Sequence, residues 1–322
     1  MNAKNVITDV LKEKGRIKQV YWVACGGSLI DLYPAHYMMN AESSTIESGW
    51  YTSKEFIIAA PKKLGKDSLV IACSHSGNTK ETVDASHLAK ERGAAVITLT
   101  DKAGSACDHP EFISWVYPWG EGVSVSETPG CITLALASEL LAAQEGFANH
   151  GKMMDAVSRM DEIIKGAVAK VNSGMTREFA EKYGEEPFFY ILGSGTAFSQ
   201  AYGFSICSLM EMQWKNCAYL HSGEYFHGPF ECTEKGVFYF LQKSAGKCRV
   251  MDQRAEDFLK THTDKLMVLD ALELGMDKID PDVVDYFNPI LFYAMNCEFR
   301  EALAKKHNHP VETRRYMGVV AY

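Results

Sequence analysis

The chain has 322 residues, 47% of them apolar and 23% charged, with a formal net charge of -8. That length allows two domains or one large one around a sizeable core, and the acidic balance argues against a nucleic-acid-binding surface. No apolar run approaches the roughly 18 residues of a membrane span, and the charged start MNAKNVITDVLKEKGR has no signal-like apolar centre. A cytoplasmic protein without membrane partners is therefore expected.

Residues 1–17 read as an N-terminal helix. KQVYWVACGG (18–27) follows as a buried strand entering a glycine turn, and SLIDLYPAHYMM as a helix. SLVIACS (68–74) is a second buried strand, KETVDASHLAKERG (80–93) an amphipathic helix ending at glycine, and AAVITLTD (94–101) a third strand. Strand, helix, strand in this order predicts βαβ units on a parallel sheet with helices on both faces. TLALASELLAAQEGFA (133–148) and MDAVSRMDEIIKGAVAKV (154–171) read as helices that link two halves.

The plan then recurs: PFFYILGSGT (187–196) answers the first strand, GVFYFLQ (236–242) the second and DKLMVLDA (264–271) the third. The offset is about 168 residues each time, as for two copies of one α/β domain. The expected division is 1–17, a first domain over 18–165, a second over 166–310, and a tail from 311 to 322.

Two segments carry chemistry. In SHSGNTKET a buried strand gives way to a helix, with Ser74, Ser76, Asn78 and Thr79 at the junction. Hydroxyls, a glycine that allows close approach and free helix N–H groups would cradle a phosphate; the same residues would equally serve as helix caps. The first strand ends in CGGS, so Gly27 and Ser28 fall at a neighbouring helix start. In open parallel sheets ligands bind beyond the carboxyl ends of the strands, where both turns should lie. LQKSAGK replaces the serine-rich turn in the second half, so phosphate is expected in the first half only.

The second segment is EMQWKNCAYLHSGEYFHGP, which sets Glu211 sixteen residues ahead of His227. A carboxylate and an imidazole can divide proton transfers on a sugar carbon. Glu211 lies in CSLMEMQW, which reads as a mostly buried helix that would withdraw it partly from water. Taken alone, Glu211 is as readily a helix-end carboxylate, and a histidine placed like His227 is more often a structural turn residue than a catalyst. Glu224, three residues before His227, would orient it if the turn were helical, or would cap a helix. His221 is ambiguous in the same way. Arg314 and Arg315 in the tail would suit a substrate carboxylate or an ordinary surface salt bridge. The ten histidines and nine cysteines include no HExxH, no CxxC and no other ligand spacing, so no metal or other cofactor is expected.

VYWVACGGS, SHSGNTKET, MEMQW, HSGEYFHGPFE, VDYFNPILF and the tail TRRYMGVVAY resemble the SIS (sugar isomerase) family, along nearly the whole chain. The doubled form resembles the isomerase part of glucosamine-6-phosphate synthase. The closer likeness is to the fructosamine-6-phosphate deglycases, which act on 6-phosphofructose-aspartate or fructoselysine 6-phosphate. The resemblance implies two tandem SIS domains, phosphate held by Ser28, Ser74, Ser76 and Thr79, and an acid/base pair of Glu211 and His227. It also implies a homodimer in which the histidine reaches into the neighbour's site. The synthase has a catalytic lysine near its carboxyl end, whereas here the last lysine is Lys306, so amination chemistry is not expected. An aldose–ketose isomerase or a glucosamine-6-phosphate deaminase would use the same pair. A non-catalytic sugar-phosphate sensor of this fold would be expected to carry a helix-turn-helix module, for which the residues before the first strand leave no room.

Overall fold

The computed structural model describes residues 1–321, which form two compact units, Met1–Ser158 and a second that begins at Arg159. In the first unit α1 (Ala3–Lys14) leads to β1 (Gln19–Ala24), α2 (Gly26–Glu42), β2 (Glu47–Thr52), α3 (Ser53–Ile58), β3 (Ser68–Cys73), α4 (Lys80–Glu91), β4 (Ala95–Thr100), β5 (Ile113–Val116) and α5 (Pro129–Glu145). The helix α6 (His150–Asn172) carries the chain into the second unit. There follow α7 (Met175–Glu178), a π-helical turn, β6 (Phe189–Gly193), α8 (Phe198–Gly203), a π-helix over Phe204–Met212, β7 (Cys217–His221), β8 (Phe238–Lys243), α9 (Arg249–His262), β9 (Lys265–Asp270) and α10 (Asn288–His307).

Each unit holds a wholly parallel sheet, ordered β2-β1-β3-β4-β5 in the first and β7-β6-β8-β9 in the second. These are the α/β domains with parallel sheets read from the sequence. The six strands expected from apolar runs are β1, β3, β4, β6, β8 and β9. Every residue of β1, β3, β4 and β8 is buried, as β-branched and aromatic runs covered by helices on both faces must be. Three edge strands add to them: β2, with sequence ESGWYT, β5 and β7 are partly exposed and lack the long apolar runs of the core strands.

Side chains fix the layers. On one side of the first sheet Tyr21, Val23, Val70 and Val96 pack with Phe56, Ala85 and Ala89 of α3 and α4. The second unit has an aromatic core, in which Phe179, Phe204, Phe240 and Phe299 meet at ring separations of 5.2–6.0 Å. Phe204 opens the π-helix and is 1% exposed, so this core pins the start of the segment that leads to Glu211.

The strand orders decide where loops converge. In both sheets the chain moves outward in opposite directions from the first and second core strands, which opens a crevice at their carboxyl ends. In the first unit that point lies between β1 and β3, and Ala24 stands opposite Cys73 in register.

Candidate active site

Two helix N-termini face this crevice in the first unit. Gly27 and Ser28 lie in the first turn of α2, whose N-cap Cys25 makes no side-chain cap bond. Nothing lies within 4 Å of a Cβ built at Gly26 or Gly27, so the backbone there is open to approach. Ser28 lies beside the Cys73 thiol at the end of β3, where it counters part of the rise that burial gives that thiol's pKa. Thr79 is the N-cap of α4 and also leaves its cap bond unmade.

The loop between β3 and α4 is tied from within. Ser74 is 2% exposed and its hydroxyl donates to Thr79 Oγ1 at 2.9 Å. The Gly77 N–H donates to the Ser74 carbonyl, and the Asn78 N–H to Ser76 Oγ at 3.3 Å. Asn78 Oδ1 accepts from the Ala106 N–H at 3.1 Å, pinning the loop to its neighbour. Gly77 has φ +67°, and a Cβ there would stand 2.0 Å from Ser105 Oγ, so both conformation and space require glycine. The crevice thus joins Ser28, Ser74, Ser76 and Thr79 to the positive ends of two helices.

Two neighbours gave no signal in the sequence. His75 meets Tyr117 Oη at 3.0 Å and Asp101 Oδ2 at 3.6 Å; burial lowers its pKa even though Asp101 opposes the shift. Asp31, one turn after Ser28 on α2, is pushed up by burial to about 7. It also helps raise the Cys73 thiol, after the larger effect of burial.

The corresponding crevice of the second unit is filled by the protein's own carboxylates. Asp252 of α9, fully buried, accepts from the Ser244 N–H at 2.8 Å, the Ser244 hydroxyl at 2.5 Å and the Ser222 hydroxyl at 2.6 Å. Asp285 accepts from the Lys247 N–H at 3.0 Å and occupies the space a Cβ on Gly246 would need. Donors that could take an anion are already satisfied.

Glu211 lies near the end of the π-helix, on the wall of an open cleft of about 390 Å³. The cleft is lined on one side by Met210, Glu211 and Trp214 and on the other by tail residues including Arg314 and Arg315. Here the sequence reading needs correction: CSLMEMQW is not mostly buried, since Met210 is 40% and Trp214 36% exposed. The wide helical turn presents its end to solvent. The Lys215 N–H turns back to the Leu209 carbonyl at 2.9 Å, and Trp214 adopts φ +55°, a left-handed conformation usual for glycine. Its ring is held between His309 (centroids 4.4 Å apart) and the Arg315 guanidinium (3.9 Å from the ring centre). Arg314 Nη2 contacts Glu211 Oε1 at 2.7 Å.

His227 stands on an exposed turn after β7, where its N–H donates to the Glu224 carbonyl at 2.9 Å. That link is through backbone; no contact joins the two side chains among the described residues. His221 Nδ1 accepts from the Gly223 N–H at 3.0 Å and its ring packs on Phe198, a structural placement. His227 is not among the residues lining the Glu211 cleft. Among the described residues no three His, Cys, Asp or Glu side chains are grouped so as to hold a metal ion, and no helix is long and apolar enough to cross a membrane.

Comparison with known proteins agrees with this layout. The SIS domain family matches residues 54–110, which span β3, α4 and β4 of the first unit. The fructosamine deglycase FrlB of Bacillus subtilis is 36% identical over 313 residues, covering 96% of this chain and 94% of that protein. The chain belongs to the SIS-domain family, among the fructosamine deglycases. The fructoselysine 6-phosphate deglycase of Escherichia coli is 26% identical, over 96% of this chain and 88% of its own length. A crystal structure of a Salmonella typhimurium protein described as a phosphosugar isomerase superposes with a TM-score of 0.96 at 40% identity, covering 100% of this chain and 96% of that one.

Proposed function

We propose that this protein is a deglycase that converts a 6-phosphorylated fructosamine to glucose 6-phosphate and a free amino acid. The observation that carries the reading is the placement of Glu211, in a deglycase-family chain, at the end of a widened helix on a cleft wall. The phosphate is assigned to Ser28, Ser74, Ser76 and Thr79, with Gly27 and Asn78 shaping the cradle. Two helix N-termini at a sheet crevice support this assignment. The internal carboxylates of the second unit support one phosphate site per chain.

In the chemistry proposed, His227 opens the cyclic substrate by moving a proton between the anomeric hydroxyl and the ring oxygen. Glu211 then takes a proton from C1. The C1–H electron pair becomes the C1=C2 bond, and the C2 carbonyl oxygen gains a proton, giving an enaminol. Protonation at C2 moves the double bond to C1=N. Water adds to C1, the C–N bond breaks, and amine and aldehyde part. Substrate nitrogen and carbonyl delocalise the electrons throughout.

A homodimer is part of the proposal: His227, exposed and absent from the walls of the Glu211 cleft, would serve the site of a second copy. Glu224 is assigned a supporting place on the same turn. Of the amino acids, aspartate is preferred, from the likeness of HSGEYFHGPFE and the tail and from the two cleft arginines; lysine is next. An isomerase would use the same acid/base pair, so amino-acid release is the deciding result. A coupled assay for glucose 6-phosphate with 6-phosphofructose-aspartate and fructoselysine 6-phosphate offered separately tests the reading. Turnover of either supports it, and silence with both overturns it.

A further inference from the structure

Arg314 reaches Glu211 from the tail, and its own loop aims it. Nη1 donates to the carbonyls of Val311 (2.6 Å) and Thr313 (3.0 Å), leaving Nη2 on the Glu211 carboxylate. The two side chains are 20% and 24% exposed, so solvent screens the pair only in part. The tail is fastened to the same segment elsewhere: Gln213 Nε2 donates to the His309 carbonyl at 3.2 Å, and Arg315 stacks on Trp214. The carboxylate assigned to take a carbon-bound proton is therefore bound to a guanidinium.

A guanidinium that holds one carboxylate can hold another of the same geometry. In a fructosamine joined through the α-nitrogen of an amino acid, the carboxylate carbon lies three bonds from C1. It therefore sits within about 4 Å of the carbon whose proton Glu211 would remove. In one joined through the lysine ε-nitrogen the carboxylate is seven bonds away. We propose that Arg314 is a positioning and specificity-determining residue: it holds Glu211 and, when substrate binds, passes to the substrate's α-carboxylate, which frees Glu211 to take the C1 proton. The proposal rests on the deglycase reading and narrows its substrates to fructosamine 6-phosphates linked through an α-amino group. The carboxylate then acts on the proton transfer as well as on binding, so its loss lowers kcat in addition to raising KM.

The test compares three 6-phosphorylated fructosamines, linked to aspartate through its α-nitrogen, to lysine through its ε-nitrogen, and to a simple alkylamine without carboxylate. Glucose 6-phosphate release is measured with wild type, Arg314→Gln and Arg314→Lys. Wild type is expected to favour the aspartate substrate over the alkylamine by about 100-fold in kcat/KM. Arg314→Gln should bring that ratio within about threefold, through loss of both kcat and affinity for the aspartate substrate. Arg314→Lys, which keeps one charge without the fork, should retain an intermediate ratio and carries the comparison if Arg314→Gln folds poorly. A ratio unchanged in both variants makes the pair a structural salt bridge and overturns the proposal. Absence of preference in the wild type does the same. Wild-type silence on all three substrates overturns the deglycase reading, and this proposal with it.

Discussion

Ser244 holds the carboxylate of Asp252 twice, through its backbone N–H at 2.8 Å and its hydroxyl at 2.5 Å. Ser74 occupies the matching strand end of the first unit, where its hydroxyl is bonded instead to Thr79. One duplicated loop is thus closed by an internal anion and the other left with donors for an external one. Asp252→Ala would leave the Ser222 hydroxyl and the Ser244 N–H as buried donors without this acceptor, and the Ser244 hydroxyl with only Ser194 Oγ at 3.5 Å. It should lower the unfolding free energy by about 2–4 kcal/mol, as read from urea denaturation; a loss below about 0.5 kcal/mol would contradict this account of the second cradle.

Removing the proposed base separates chemistry from binding. Glu211→Gln should reduce kcat by about a thousandfold while calorimetry finds sugar-phosphate affinity within about threefold of wild type. His227→Ala should also cost about a hundredfold or more in turnover. Unaltered kcat in Glu211→Gln would remove it from the mechanism.

The phosphate assignment predicts the opposite pattern. Ser74→Ala and Thr79→Val should each raise KM by about tenfold, the equivalent of one hydrogen bond to an anion, with kcat changed less. A pure kcat effect would mean that these hydroxyls do not hold the phosphate.

Gly77→Ala places a methyl group 2.0 Å from Ser105 Oγ at a left-handed φ of +67°. The loop must shift to relieve both. The variant should lose about 2 kcal/mol of stability and show a raised KM, measured by thermal unfolding and initial rates. Wild-type behaviour in both would show that the loop tolerates another shape.

Asp31 gives a pH signature. Burial raises its folded-state pKa to about 7, so the native protein keeps this proton at pH values where the unfolded chain has lost it. Its contribution to stability therefore falls as pH rises from about 4 to about 7. Asp31→Asn should gain relative to wild type across that window, by on the order of 2 kcal/mol after allowing for the residue's partial solvent contact. A constant difference between the two proteins from pH 4.5 to 7.5, measured by denaturation, would refute it.

Much of this was legible in the residues. The runs that became β1, β3, β4, β6 and β8 combine continuous apolar sequence with β-branched or aromatic side chains, because strands covered on both faces leave no place for polar alternation; β9, at the sheet edge, was announced by its apolar stretch LMVL alone. The other edge strands escaped for the converse reason: β2 carries Glu47, Ser48 and Gly49 and is half-exposed, so its place comes from pairing with β1 rather than from its own composition. Hydroxyls clustered at a strand end announced the loop after β3. The Glu211–Arg314 pair joins residues far apart in the chain, and no local pattern specifies it. Nor did spacing expose the filled cradle, since Asp252 looks like any acidic residue in the first turn of an amphipathic helix.

The π-helix over Phe204–Met212 has a consequence for how this cleft can change. A widened helix is an ordinary one accommodating an inserted residue. Its aromatic anchor at Phe204 fixes one end, so the insertion is absorbed as rotation at the other, where Glu211 and the left-handed Trp214 lie. Shortening the segment by a single residue would restore regular winding and turn everything beyond by about 100°, carrying the carboxylate off the cleft wall while the buried face stayed seated. Glu211 is therefore aimed by the length of this segment, and neighbouring side chains can vary more freely than the number of residues between them.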